Sequence, residues 1–289
     1  MVLPVRKAVF PVAGLGTRLL PATKVMPKEM LPIVDRPLIE YAVQEAIEAG
    51  IEDFIFVTGR GKSLIEDHFA HSYELESQLL EKGKKKELTT VQPMTPNPGH
   101  LFFTRQRVPL GLGHAVWCAR RFIADEPFAV LLPDDLILAT PGCLKQMVDA
   151  YHEIGGNLVA VENVPREETN RYGVLEVEQD DGRLAKACGL VEKPEPDEAP
   201  STLSIIGRYI LQPDIFEYLN RHEKGAGGEI QLTDAMAKTM NSGALHGLRF
   251  NGRRFDCGTK VGFVAANLAF AMGDHHLEQE IREIMKPIF

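Results

Sequence analysis

The chain is 289 residues long, 44% hydrophobic, 25% charged and 7% aromatic, a mixture that fits a globular enzyme or a large binding domain. Thirty-two basic residues against forty acidic ones leave a formal charge of −8, which argues against a general nucleic-acid-binding face and leaves room for a local basic site. No apolar run approaches the roughly 18 residues that span a bilayer, and Arg6, Lys7 and Arg18 with Pro4 and Pro11 break up any signal-peptide stretch.

A soluble, cytoplasmic protein with no membrane partner is therefore expected. Cys118, Cys143, Cys188 and Cys257 are far apart, with no CxxC pair and no histidine at zinc spacing, so they read as reduced thiols and structural zinc is not expected.

Short β-branched or aromatic runs alternate with amphipathic helical stretches, which predicts βαβ units around a mainly parallel sheet. Residues 7–12 form a buried-strand run. Leu38, Ile39, Ala42, Val43, Ala46 and Ile47 then recur at helical spacing before Gly50, a good helix stop, and 53–58 is a second strand. Residues 65–86 read as a polar helical insertion ending in Lys82, Lys84, Lys85 and Lys86, a run without interleaved aromatics that suits a solvated helix end. An extended segment at 102–106, a helix at 111–122, a buried strand at 128–132 ending in Pro133-Asp134-Asp135, and a helix at 144–154 follow.

After about Asn157 the texture changes to strands with hairpin punctuation, at 158–164, 174–177, 184–191 and 203–211, with Asp180-Asp181-Gly182 as a turn. Helices at 215–221 and 230–241, a strand at 245–250 and two helices across 261–285 complete the chain. The helix near 261–272, rich in Val, Phe, Ala and Leu, packs either on its own sheet or on another subunit. No internal repeat, low-complexity segment or long linker separates two independent domains.

Residues 1–28 contain Arg6, Lys7, Arg18, Lys24 and Lys28 and no Asp or Glu. The first strand runs into Ala13-Gly14-Leu15-Gly16-Thr17-Arg18, where two glycines let backbone N–H groups close on an anion and Arg18 adds a charged fork. Read alone, Gly14-Leu15-Gly16 is equally a tight strand-to-loop turn. A dinucleotide-binding G-x-G-x-x-G would need glycine where Leu19 stands, and a Walker A loop ending at Gly61-Lys62-Ser63 would need glycine where Phe56 stands. Pro21, Pro27, Pro32 and Pro37 stiffen the segment that carries Lys24, Lys28 and Glu29, so that Lys28 can be pre-positioned at little entropic cost.

Asp134 and Asp135 fall at the carboxyl edge of a central strand, where open α/β sheets bind ligands. With Asp256 they suit a hard divalent cation whose remaining positions are filled by phosphates; a solvated turn or helix cap is the other reading of an Asp-Asp pair. Gln106 precedes the small-residue helix start Gly111-Leu112-Gly113-His114-Ala115, either a platform for a flat base or a surface glutamine at a helix entrance. Glu192-Lys193-Pro194 ends a strand, and Gly173 and Gly207 lie within strands, as ligand contacts or as ion-pair decoration and bulges.

The run Gly14-Leu15-Gly16-Thr17-Arg18-Leu19-Leu20-Pro21-Ala22-Thr23-Lys24, followed by Pro27-Lys28-Glu29-Met30-Leu31-Pro32-Ile33-Val34-Asp35-Arg36-Pro37-Leu38-Ile39, resembles the bacterial UTP–glucose-1-phosphate uridylyltransferases, also called UDP-glucose pyrophosphorylases, among the sugar nucleotidyltransferases. Residues 106–116, Pro133-Asp134-Asp135, Arg171-Tyr172-Gly173-Val174, Val191-Glu192-Lys193-Pro194, Gly227-Gly228-Glu229-Ile230-Gln231-Leu232-Thr233-Asp234 and Phe255-Asp256-Cys257-Gly258 are similar in order and spacing, so the resemblance covers nearly the whole chain.

The resemblance implies an α/β nucleotidyltransferase fold: a Rossmann-like, mixed, mainly parallel central sheet flanked by helices, with a smaller α+β sugar-binding part and C-terminal helices. Residues 1–156 are then mainly the nucleotide-binding half, 157–259 the sugar-phosphate-binding half, and 260–289 the C-terminal helices of a single catalytic domain. The implied reaction joins UTP and glucose 1-phosphate, with Mg²⁺, to give UDP-glucose and pyrophosphate. Ala13, Gly14, Leu15, Gly16, Thr17, Arg18, Lys28, Glu29 and Asp135 are assigned to the nucleotide, and Gln106 and Gly111 to the uracil edge. Glu192 is assigned to sugar hydroxyls, Lys193 to the sugar 1-phosphate, Gly173 and Gly207 to the hexose, and Asp134 and Asp256 to the metal. His114 keeps a packing role, because this phosphoryl transfer needs no acid–base group. A homo-oligomer, dimer or tetramer, is also implied.

Three rivals are weighed on residues. A thymidylyltransferase or other sugar-1-phosphate nucleotidyltransferase is disfavoured by the Pro27-Lys28-Glu29-Met30-Leu31-Pro32 segment and the insertion through Lys86. A sugar-nucleotide-dependent glycosyltransferase does not account for the Arg18 and Lys28 segment. A non-catalytic UDP-glucose-binding regulatory homologue does not account for Arg18, Lys28, Asp134, Lys193 and Asp256 together.

Overall fold

Runs such as Ala8-Val9-Phe10 and Phe128-Ala129-Val130-Leu131 have no polar face, and both are wholly buried, as strands covered on two sides must be. The computed structural model describes residues 2–91, 99–273 and 277–285. Its strands are β1 (Lys7–Pro11), β2 (Pro32–Ile33), β3 (Arg36–Pro37), β4 (Asp53–Thr58), β5 (Leu101–Arg105), β6 (Phe128–Leu131), β7 (Asp135–Leu138), β8 (Asn157–Asn163), β9 (Gly173–Asp180), β10 (Leu184–Glu192), β11 (Leu203–Leu211), β12 (Leu245–Arg249) and β13 (Arg253–Asp256). Its helices are α1 (Leu38–Glu48), α2 (Ser63–His68), α3 (Tyr73–Glu81), α4 (Lys85–Val91), α5 (Leu112–Cys118), α6 (Arg120–Ile123), α7 (Cys143–Ile154), α8 (Ile215–Leu219), α9 (Leu232–Thr239), α10 (Lys260–Gly273) and α11 (Glu278–Met285).

One sheet runs in the order β5-β4-β1-β6-β11-β8-β12-β10-β9, and β9 also pairs with β11. Strands β5, β4, β1 and β6 are parallel neighbours. β11 runs against β6 and β8, and β10 against β12 and β9, while β12 is parallel to β8. The sheet is thus mixed, with β10 and β11 opposing a common direction, as the sequence leads one to expect. β7 pairs with β13, and β2 with β3, as two small ribbons beside it.

Side chains alternate across a strand, so each run feeds two cores. Ala8, Phe10, Phe54, Phe56, Ala129 and Leu131 pack with Ile39 and Val43 of α1 and Leu144 and Met147 of α7. Val9, Ile55, Val57, Phe128 and Val130 pack on the other face with Val116 of α5, Phe216 of α8 and Met236 of α9. A third cluster of Ile33, Leu38, Leu136, Phe255, Cys257 and Ala266 ties the two ribbons to α1 and α10. The helix near 261–272 therefore packs on its own chain along one side, while Val261, Val264 and Leu268 stay exposed.

The polar stretch 65–86 resolves into α2, α3 and the start of α4, with no residue of α4 buried. Its lysines are exposed, and Lys84 pairs with Glu87 at 3.5 Å. All four cysteines are free. Among the described residues no helix is long and apolar enough to cross a membrane.

One buried charge locks the layers. Arg208 of β11 is wholly buried, and its Nε and Nη2 donate to the Glu45 carboxylate of α1, with Nη2 to Oε2 at 2.8 Å. Its Nη1 donates to the carbonyls of Leu132 and Gly207, at 2.9 and 3.0 Å. Glu45 Oε1 also accepts the Leu144 N–H at 2.9 Å, satisfying a free donor at the first turn of α7. Removing one partner strands the other as an unpaired buried charge. Glu45→Ala is accordingly expected to lower the unfolding free energy in urea titration by about 3–5 kcal/mol, with Glu45→Leu combined with Arg208→Met recovering part of that loss.

Candidate active site

β1, β4 and β6 end on the same edge of the sheet, and the loops leaving them build the site. The Val12 N–H donates to the Val57 carbonyl at 3.0 Å, carrying the β1–β4 pairing to the mouth of the glycine loop. Ala13 follows, with Gly59 packed so closely that a Cβ there would lie 2.9 Å from the Ala13 oxygen. Gly16 has φ +66°, and its carbonyl accepts the Thr23 hydroxyl at 2.7 Å. A Cβ on Gly16 would stand 3.2 Å from the Lys28 Cβ. The loop therefore rests on Lys28, while Gly14, Leu15, Thr17 and Arg18 are exposed.

The cation excess of residues 1–28 splits between two places. Arg18 and Lys28 belong to this loop. Arg6 and Lys7 lie at the far end of β1, bound to Glu126 at 3.0 and 3.1 Å, and Lys7 also donates to the carbonyls of Phe122 and Ile123.

Lys28 Nζ meets Asp134 Oδ2 at 2.6 Å. Burial works against both charges, yet each outweighs that penalty for the other: the Lys28 pKa sits above its ordinary value and the Asp134 pKa below, with Arg18 adding a smaller favourable field at Asp134. The neighbouring Glu29 is wholly buried against Lys62, Nζ to Oε2 at 2.7 Å, and burial pushes its carboxyl up. Its other oxygen, Oε1, is buried with no hydrogen-bond partner.

Asp135 turns the other way. Arg254 of β13 donates to its Oδ1, Nε at 2.6 Å, and the same guanidinium lies 5.1 Å from the centre of the Tyr172 ring. Asp135 also fills the space beside Gly207, where a Cβ would stand 2.5 Å from Oδ2. Gly207 is thus required by Asp135.

The β7–β13 register sets Asp256 opposite Asp135. Asp256 Oδ1 accepts the Gly258 N–H at 3.0 Å, and its Oδ2 meets Arg171 at 2.6 Å. A Cβ on Gly258 would lie 3.0 Å from Asp256 Oδ1 and 3.1 Å from Asp134 Oδ2, so the missing side chain opens a small cradle between the two carboxylates. Hard oxygen donors suit a cation of the Mg²⁺ type. Among the described residues no group of three or more His, Cys, Asp or Glu stands ready to hold a metal, and Mg²⁺ characteristically uses one or two carboxylates plus substrate phosphates. Cys257 lies beside them, its N–H donating to the Asp134 carbonyl at 2.7 Å, and its thiol is pushed up to about 12, first by burial and then by the aspartates.

Just past β5, Gln106 is buried, and its Nε2 lies 3.0 Å from the Gly111 carbonyl and 2.9 Å from His114 Nδ1. Gly111, at φ +105°, leaves no space for a side chain, since a Cβ would stand 2.8 Å from the Ile230 carbonyl. The Gly113 N–H donates to that carbonyl at 2.9 Å. His114 is packed against Trp117 and His222.

Lys193 follows β10 and has φ +50°, a left-handed conformation that is strained for a lysine before proline. Its N–H donates to the Tyr172 carbonyl at 2.9 Å, and Nζ meets Glu192 Oε1 at 3.0 Å. A Cβ on Gly173 would lie 3.0 Å from Thr233 Cγ2 and 3.3 Å from Glu192 Oε2. The structure therefore brings Gly173, Glu192 and Lys193 together, and Asp134, Asp256, Lys28 and the glycine loop together. Lys62, Arg171, Tyr172 and Arg254 gain their places only in three dimensions; Arg171 and Tyr172 stand in one of the recognised motifs, but nothing in the chain order pairs any of these residues with a carboxylate.

The sequence model of the nucleotidyl transferase family matches residues 7–272. The UTP–glucose-1-phosphate uridylyltransferase of Komagataeibacter xylinus is 53% identical over 90% of this chain and 92% of its own length. That of Bacillus subtilis is 52% identical over 98% of this chain and 96% of its own. A UTP-bound UGPase structure from Acinetobacter baumannii superposes with a TM-score of 0.90 at 41% identity, over 97% of this chain and 98% of that one. With its sheet, its glycine loop and these likenesses in agreement, the chain belongs to the nucleotidyl transferase family.

Proposed function

We propose that the protein transfers the uridylyl group of UTP to α-D-glucose 1-phosphate, releasing UDP-glucose and pyrophosphate with Mg²⁺. The observation that carries this reading is the convergence of Asp134 and Asp256 on Gly258, directly beside Lys28 and the glycine loop. The names of the uridylyltransferase relatives support the choice of substrates.

UTP brings about four negative charges and glucose 1-phosphate nearly two, because a phosphate monoester has a second pKa of about 6. Mutual repulsion is the obstacle. A phosphate oxygen of the sugar is already an anionic nucleophile; it bonds to the α-phosphorus as the bond to the bridging α–β oxygen breaks, and that electron pair leaves with pyrophosphate. No general base is needed, so the work is positioning and charge neutralisation. Arg18 and the backbone of Ala13 to Thr17 hold the leaving β- and γ-phosphates, and Lys28, with Glu29 beneath it, lies along the triphosphate. Gln106 and Gly111 read the uracil edge. Glu192 accepts from sugar hydroxyls beside Gly173 and Gly207, and Lys193 holds the incoming phosphate. Asp134 and Asp256 would hold the Mg²⁺, which when bound supplies Lewis-acid charge at the α-phosphate, with Asp135 anchoring the ribbon behind them.

In this reading residues 1–156 serve mainly the nucleotide and 157–259 mainly the sugar phosphate. The exposed Val261, Val264 and Leu268 of α10 support a homo-oligomer.

Pyrophosphate release from UTP, compared with the other nucleoside triphosphates, is the direct test: preference for UTP and loss with chelator are expected, and binding without release would leave a regulatory homologue. Lys193→Ala should raise KM for glucose 1-phosphate more than KM for UTP, and Asp134→Asn or Asp256→Asn should abolish metal-dependent turnover. Gly258→Ala puts a methyl between the two carboxylates. Mn²⁺ affinity should then fall by about 10–100-fold in a protein whose melting temperature moves by less than about 4 °C.

A further inference from the structure

The two carboxylates that face each other across Gly258 are each engaged by a cation of the same chain. Lys28 holds Oδ2 of Asp134 and Arg171 holds Oδ2 of Asp256, both at 2.6 Å. Lys28 belongs to the nucleotide side of the site. Arg171 stands on the sugar side, as the last residue of the short 3-10 helix Arg166–Arg171 and two residues before Gly173, whose Cα pairs with Glu192 across the β9–β10 ladder.

Arg171 is placed for exchange and not for support of the fold. Its side chain is about a third exposed, its Nη1 reaches Glu168 at 3.0 Å, and its guanidinium lies 5.5 Å from the Tyr172 ring centre. Its bonds among the described residues go to carboxylates, Glu168 and Asp256. The contrast is with Arg254, near the same tyrosine, whose buried guanidinium is fixed by Asp135 and the Tyr172 hydroxyl.

We infer that Arg171 is a displaceable counter-ion of Asp256: it competes with the divalent cation for that carboxylate and, once displaced, turns to the phosphate of the sugar 1-phosphate, so that cation and sugar phosphate bind cooperatively. The inference rests on the reading of Asp134 and Asp256 as metal ligands. The cradle at Gly258 faces Oδ1 of Asp256 while Arg171 holds Oδ2, so a cation in the cradle and the guanidinium share one carboxylate and repel each other across it, until an anion stronger than Glu168 draws the guanidinium away. A phosphate offers the same planar pair of oxygens as a carboxylate, with more charge. Whatever favours the Arg171–phosphate pair then favours the cation, and by linkage the two effects are equal in size.

The sign of the effect separates this role from a supporting one. If Arg171 merely oriented Asp256, removing it would weaken metal binding; as a competitor, its removal strengthens it. The experiment is an Mn²⁺ titration followed by electron paramagnetic resonance of the free ion, on the full chain, with and without UDP-glucose, for wild type, Arg171→Gln, Arg171→Lys and Asp256→Asn. Arg171→Gln should bind Mn²⁺ about 5–20-fold more tightly than wild type without UDP-glucose. The tightening that UDP-glucose brings to wild type should shrink in this variant by a similar factor, and Arg171→Lys should keep most of it. Unchanged or weaker Mn²⁺ binding by Arg171→Gln, or an undiminished effect of UDP-glucose, would overturn the inference while Asp256→Asn still loses the ion. Wild-type Mn²⁺ binding by Asp256→Asn would instead overturn the metal reading itself.

Discussion

Three carboxylates share one edge of this sheet, and each is tolerable there because a cation of the chain lies against it. Asp134 has Lys28, Asp135 has Arg254 and Asp256 has Arg171. Asp135, the most enclosed of the three, would be costly to leave unpaired. The β7–β13 register makes the problem worse, since it sets Asp256 directly opposite Asp135. Burial, reinforced by the charges of Asp134 and Asp256, pushes the Asp135 carboxyl up in spite of Arg254. Much of the local sequence answers to this constraint: Gly207 makes room for Asp135, Gly258 for the pair Asp134 and Asp256, and the Tyr172 ring lies near both Arg171 and Arg254.

Adjacent positions also divide the labour. Asp134 ends the turn that the Asp135 N–H closes on the Leu132 carbonyl, and it faces Lys28, while Asp135 opens β7 and faces inward to Arg254. Each aspartate thus has its own cation, Lys28 at the loop for the one and Arg254 within the ribbon for the other. The same separation holds at Glu29 and Lys28: consecutive residues of one tight turn, the first anchored downward on Lys62, the second directed at Asp134. The anchored member fixes the backbone from which the free member works.

The strands were legible where burial leaves no polar face, and 53–58 and 203–211 fall as read. The β7–β13 ribbon was not, because Asp135 to Leu138 is too short to show a period and its partner lies far along the chain. The glycine loop was legible as a motif, but its seating on Lys28 depends on the positive φ of Gly16 and the Thr23 hydroxyl, which no spacing encodes. Arg6 and Lys7 looked like members of the same cation cluster, yet a strand has two ends, and they sit at the other one. The partners of Lys62 and Arg254 were not legible at all, since a single charge carries no sign of its partner until the fold supplies one.

Three of the cations proposed to take phosphate share a feature that bears on how such a site can exist without ligand. Lys28, Lys193 and Arg171 each rest on a carboxylate of the chain, Asp134, Glu192 and Asp256. In the proposed reading, phosphate binding at these three is an exchange of anionic partners rather than the creation of new ion pairs, and its free energy is the difference between two charge-assisted contacts, not the sum of several. The carboxylates released by that exchange do not stay unpaired: Asp134 and Asp256 converge on the cation cradle at Gly258, and Glu192 turns to hydroxyl donors. Lys193 is held for this exchange by backbone geometry, a left-handed residue pinned through its N–H to Tyr172. Strain of that kind persists only where the surrounding structure over-determines it, and here β9, β10 and the Arg171-Tyr172-Gly173 turn provide that determination on the side of the site where the sugar phosphate is expected to enter.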